Sequence, residues 1–248
     1  ESLYVTGAYG VLKVFDLSNP AIPTEISDVE SRVPVDIALV RNLAYTPDGL
    51  DRVLVYDLSQ RRQPLLVGSG TVSAFATSIG VSGSYAFIGG SVNTLRSVDL
   101  TTPTSPVPVD DLSLPGEVRA IATRGSYAFV TTQTDPTTGN LHVIDTGAPA
   151  NLSEVGSVAI AGPGITVSVL NENVFVGTIG GNFQIFDIGD PANPTVRSTT
   201  SLGGDVNDVQ VAGDTAYCAT TDGFRILDVG DPANPVELGT HPALATDL

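Results

Sequence analysis

The chain has 248 residues, 42% hydrophobic and 15% charged, which excludes a disordered chain and is enough for one large packed domain spanning 1–248. Its 27 acidic against 11 basic side chains leave a net charge of −16, a field that repels nucleic acid and anionic lipid surfaces. No apolar run of about 18 residues is present to insert into a membrane, and a single cysteine, Cys218, excludes an internal disulfide.

Methionine is absent even at position 1, so the chain is expected to be a processed or truncated product. Lys13 is the only lysine, and the other cations are arginines.

Read in order, the chain repeats itself. A small or apolar stretch around an aromatic, LYVTG (3–7), is followed by an apolar strand ending in Asp and a polar turn, VFDLSNP (14–20). The pair then recurs as LAYTP (43–47) with VYDLSQR (55–61), AFIGG (86–90) with SVDLTTP (97–103), and AFVTT (128–132) with VIDTGAP (143–149). It closes with VFVGT (174–178) and IFDIGDP (185–191), then AYCAT (216–220) and ILDVGDP (226–232). The motif aspartates Asp16, Asp57, Asp99, Asp145, Asp187 and Asp228 are spaced by 41, 42, 46, 42 and 41 residues. The long interval contains an insertion, TDPTTGN (134–140).

Upstream of most copies lies a further apolar stretch, such as VDIALV (35–40), TSIGVS (77–82) or NDVQV (207–211). Downstream of the turn lies a fourth, such as PLLVGSG (64–70) or PVELGT (235–240). Four short strands per repeat, punctuated by Gly, Asp, Asn and Pro, predict the antiparallel blade of a β-propeller, and six copies predict an all-β, six-bladed one. The first copy lacks its innermost strand, and the tail ALATDL (243–248) aligns with that strand, Asp247 falling opposite Asp208. The C-terminal strand is therefore expected to complete blade one, which removes open sheet edges.

The repeat resembles the LVIVD repeat, best in DVNDVQVAGDTAYCATTDGFRILDVGDPANP (205–235) and nearly as well in GGNFQIFDIGDPANP (180–194). Blades two and three depart from it, with SQRRQP (59–64) and TTPTSP (101–106) in place of the acidic turn. The resemblance implies the propeller fold and a bacterial or archaeal surface or secreted setting, and implies no reaction.

Candidate sites are few. One inner-strand position reads Asp36, Ser78, Ala120, Thr166 and Asp208 in blades two to six, with Asp247 for blade one. Asp208, Asp247 and Asp36 thus fall on consecutive blades, a carboxylate set suited to Ca²⁺ or a basic peptide. The plainer reading is that this Asp is a repeat residue capping backbone N–H groups. The motif aspartates are expected to fix the turns that follow them. Three residues before each stand Lys13, Leu54, Arg96, His142, Gln184 and Arg225, expected to pair with carboxylates as scaffolding.

His142 and His241 have neither a cysteine partner nor zinc-site spacing, and no serine sits in a nucleophile elbow. TPDGLDR (46–52) reads as a bulged turn with too few oxygens for a calcium loop. Arg61 and Arg62 distinguish blade two from the other copies. The expected function is a non-enzymatic, extracellular or surface-exposed binding or scaffolding propeller for a protein partner, without a cofactor. The alternative is a metal-dependent, lactonase-like hydrolase using Asp36, Asp208 and Asp247.

Overall fold

The computed structural model describes residues 2–7, 11–19, 21–30, 35–72 and 75–242. Each predicted repeat folds as one antiparallel sheet of consecutive strands. Blade one contains β1 (Ser2–Gly7), β2 (Val11–Asp16) and β3 (Thr24–Glu30). Blade two contains β4 (Ala38–Val40), β5 (Leu43–Pro47), β6 (Arg52–Asp57) and β7 (Leu65–Thr71). Blade three contains β8 (Ala76–Ser82), β9 (Tyr85–Gly90), β10 (Thr94–Asp99) and β11 (Val107–Ser113).

Blade four contains β12 (Glu117–Arg124), β13 (Tyr127–Asp135), β14 (Thr138–Asp145) and β15 (Ser153–Ile160). Blade five contains β16 (Gly164–Leu170), β17 (Asn173–Thr178), β18 (Asn182–Asp187) and β19 (Thr195–Ser201). Blade six contains β20 (Val206–Ala212), β21 (Thr215–Thr220), β22 (Gly223–Asp228) and β23 (Val236–His241). The fold is an all-β, six-bladed β-propeller, with strands hydrogen-bonded in chain order within every sheet. The tail 243–248, with Asp247 and the expected closure of blade one, lies outside the described residues.

Two compact units, Glu1–Leu112 and Ser113–Leu248, carry three blades each. Inside each unit the core lies between successive blades. Tyr45, Val53 and Val55 of blade two pack with Ile79, Ile88 and Val98 of blade three. Phe175, Phe183 and Ile185 of blade five pack with Val209, Cys218 and Leu227 of blade six. The two middle strands of a blade are covered on both faces, so they read as unbroken apolar runs such as Val53-Leu54-Val55-Tyr56, all buried. Outer strands are covered on one face and alternate, as β11 and β19 do. The repeating aromatic is a core residue for this reason: Tyr45, Phe87, Phe129 and Phe175 are each at most 2% exposed.

Close packing between blades demands small residues in outer strands. A Cβ on Gly156 would stand 2.5 Å from the Pro191 carbonyl oxygen, and at Ser198 the Oγ instead donates to the Pro232 oxygen at 2.7 Å. The 134–140 insertion does not hang off the blade as a loop. It lengthens the β13–β14 hairpin, and Asp135 closes its tip by accepting the Thr137 and Thr138 N–H groups at 2.8 and 3.0 Å.

Candidate functional site

The repeat carboxylates are occupied by the fold. Each motif aspartate accepts, through Oδ1, the backbone N–H two residues on, from Ser18, Ser59, Thr101, Gly147, Gly189 and Gly230 at 2.7–2.9 Å. This is the Asx turn that the sequence predicts. Hydrogen bonding favours the charged form, so the Ser18 N–H draws the Asp16 carboxyl below its ordinary range and the Ser59 hydroxyl does the same for Asp57. The Thr138 hydroxyl leads a set of four bonds that bring Asp135 down to about 2.

A folded-state pKa below the unfolded value means stability that is present above the unfolded pKa and lost as pH falls through the folded one. Thermal melts by circular dichroism are therefore expected to show a falling Tm between pH about 4 and about 2. Asp135→Asn should flatten the lower part of that slope; an unchanged slope would contradict the assignment.

The polar position three residues earlier ties the third strand to the fourth within one blade. Lys13 meets Glu25 at 2.7 Å, Arg96 meets Asp111 at 2.5 Å, and Arg225 meets Glu237 at 3.3 Å. His142, 2% exposed, lies between Glu154 (Nδ1, 3.0 Å) and Thr132 (Nε2, 3.0 Å). Gln184 accepts the Ala161 N–H at 2.7 Å and donates to Thr199 at 2.9 Å. Only blade two breaks the pattern, with buried Leu54 in this place.

Asp36 and Asp208 have the same kind of task on the inner strands. Asp36 accepts the N–H of Ile37 at 2.7 Å and, across to blade three, that of Ile79 at 2.9 Å. Asp208 accepts the Val209 N–H at 2.8 Å and the Thr166 hydroxyl of blade five at 3.0 Å. Thr166 in turn accepts the Val209 N–H at 3.3 Å, so this position staples adjacent inner strands whether it holds Asp or Thr. A register shift, or β-bulge, falls just before this position at Val206/Asp208, Gly164/Thr166 and Ala76/Ser78. Among the described residues no group of three or more His, Cys, Asp or Glu is arranged to hold a metal ion. Cys218 is fully buried, and burial pushes its thiol up to about 12, which makes it inert.

What remains is blade two. The turns joining first to second strands and those following the third strands share one end of each blade. Leu58 N–H donates to the Asn42 oxygen at 2.7 Å, and Leu100 N–H to the Ser84 oxygen at 2.8 Å. On this end of blade two stand Arg41, Arg61 and Arg62, all exposed. Arg62 is near enough for its charge to add to the Ser18 bonds that hold Asp16 low. Beside Arg41, between blades two and three, opens a cavity of about 420 Å³. Its walls are Val40, Leu43, Tyr45, Leu100 and Pro103, with Asn42, Ser84 and Thr101 supplying polar groups.

Arg41 and the cavity were not apparent from the motifs, although a signal existed. The first turn position reads Arg41, Gly83, Gly125, Asn171 and Gly213 in blades two to six, with φ between 54° and 60° in every case. Arginine is the misfit in a left-handed column.

The LVIVD repeat matches residues 3–31, 75–110, 115–160, 161–200 and 203–241, most of the chain. The chain belongs to the LVIVD-repeat family. The one long stretch left unmatched inside this LVIVD propeller, 32–74, holds blade two. No curated protein matches the chain. Among solved structures, a functionally unknown protein from Desulfotomaculum acetoxidans DSM 771 is similar over 97% of this chain and 80% of its own, at 13% identity and TM-score 0.78. The structure of U3-55K is similar over 99% of this chain and 80% of its own, at 10% identity and TM-score 0.78. A computationally designed protein covers 98% of this chain and 73% of its own, at 16% identity and TM-score 0.71. Likeness at these identities shows the fold alone.

Proposed function

We propose that this LVIVD propeller is a non-enzymatic binding or scaffolding module, exposed at the cell surface or secreted, that engages a protein partner through the turn end of blade two. The supporting observation is where the departures from the repeat collect. Repeat carboxylates are spent on turns and inter-blade staples, whereas Arg41, Arg61 and Arg62 stand on the one blade that the repeat does not match, and the cavity opens between that blade and blade three. Exposed arginines in an otherwise acidic protein make a local attraction for a partner's carboxylates and set orientation on approach.

Proximity labelling from the intact chain on living cells tests this. Extracellular or surface proteins are expected to be labelled, and Arg61→Ala/Arg62→Ala should cut that labelling several-fold without changing the melting curve. Labelling confined to intracellular proteins, or Ca²⁺-dependent turnover of lactone substrates by the purified chain, would overturn the proposal.

A further inference from the structure

The turn at Arg41 holds an arginine where its counterparts in blades three, four and six hold glycine. Its φ is 56°, in the left-handed region that glycine enters without cost and arginine does not. A strained residue persists where something else requires it, and such outliers collect at ligand sites. Nothing in the described chain supplies that requirement as an ion pair, because the guanidinium has no carboxylate partner among the described residues. Arg41 lines the cavity instead.

We infer that this cavity is a recognition pocket for a carboxylate next to an apolar side chain, presented on a peptide segment of a protein partner. The inference rests on the binding function proposed above and names the chemistry of its partner. Arg41 takes the carboxylate through two parallel N–H···O bonds, the geometry for which a guanidinium is built. Leu43, Tyr45, Leu100 and Pro103 take the apolar side chain, and Ser84 and Thr101 line the same cavity and supply polar groups for the peptide backbone.

Size and charge select this class. At about 420 Å³ the cavity is at the small end of ligand sites, sufficient for one or two side chains and too small for a dinucleotide. A free anion approaching a protein of net charge −16 is repelled at long range. A carboxylate delivered on a segment already held by the surrounding interface escapes that penalty through its high effective concentration.

The test uses the intact chain and an array of decapeptides that pair Leu or Phe with Glu or Asp, beside the same array carrying Gln or Asn. Carboxylate peptides are expected to bind and amide peptides not. Titration calorimetry of the best binder with Arg41→Gly should show at least a tenfold loss of affinity while Tm rises, since glycine relieves the turn; Arg41→Lys should retain part of the affinity. N-acetyl-leucine, a free carboxylate on an apolar body, should bind at least tenfold more weakly than the peptide.

Equal binding of amide peptides, an unaltered affinity in Arg41→Gly, an array with no binder, or N-acetyl-leucine matching the peptide would each overturn the inference. In proximity labelling, surface partners still labelled at full strength by Arg41→Gly would reject the pocket and leave the binding function standing. Absence of any external partner for the unaltered chain rejects the binding function itself.

Discussion

Gly181→Ala is expected to destabilise the chain by about 3 kcal/mol or more, from a backbone overlap that no rotamer can relieve added to the cost of a left-handed residue. Gly181 sits in the β17–β18 turn at φ +80°, and a Cβ there would overlap the Gly203 carbonyl and lie 3.0 Å from the Gly204 oxygen. The 202–204 segment cannot retreat freely, because the Leu202 N–H donates to the Gly181 oxygen at 2.8 Å and Leu202 is anchored in the core. Its neighbour provides the control. Gly180 has φ +91° with open space where a Cβ would go, so Gly180→Ala pays the conformational term alone, about 1 kcal/mol. Urea unfolding of both variants separates the terms, and equal losses would refute the close approach.

Asp36→Ala is expected to cost about 2 kcal/mol, since it removes the carboxylate that accepts the Ile37 and Ile79 N–H groups. The Ile79 N–H is the more serious loss, because Ile79 is 4% exposed and lies in the core between blades two and three. Asp208→Ala should cost somewhat less, because the Val209 N–H keeps its bond to the Thr166 hydroxyl at 3.3 Å. Asp36→Asn, which keeps one acceptor oxygen, should recover part of the stability. If these carboxylates served as cation ligands instead, Ca²⁺ would raise the Tm of the unaltered chain and not of the alanine variants. Staples predict a Tm indifferent to Ca²⁺ and alanine variants that melt lower with or without it.

Much of this was legible in the chain because a repeat states its own rules six times. The Asx turns at Asp16 to Asp228 and the paired polar position at Lys13, Arg96, His142 and Arg225 depend on contacts within one blade, and the core aromatics Tyr45, Phe87, Phe129 and Phe175 recur at one place in the strand pattern of each copy. The plainer reading of Asp36 and Asp208 as capping residues also needed only local information for half of its content, the bond to the next N–H. The other half, which N–H or hydroxyl of the adjacent blade each oxygen meets, required the approach of two inner strands from different blades.

The six-bladed propeller, its blade boundaries and its repeat family follow from the sequence alone, because strand period and turn chemistry are short-range properties that six copies make unmistakable. Arg61 and Arg62 already stood out in the sequence, whereas Arg41 and the cavity beside it came only from the tertiary structure. Arg41 is unremarkable as a letter in a string; its meaning comes from a positive φ and from the cavity that opens where blade two's turn meets blade three's loop. Such a cavity depends on how closely two blades approach, and that approach is set by packing across some sixty residues of chain, from Val40 to Pro103, rather than by any local pattern.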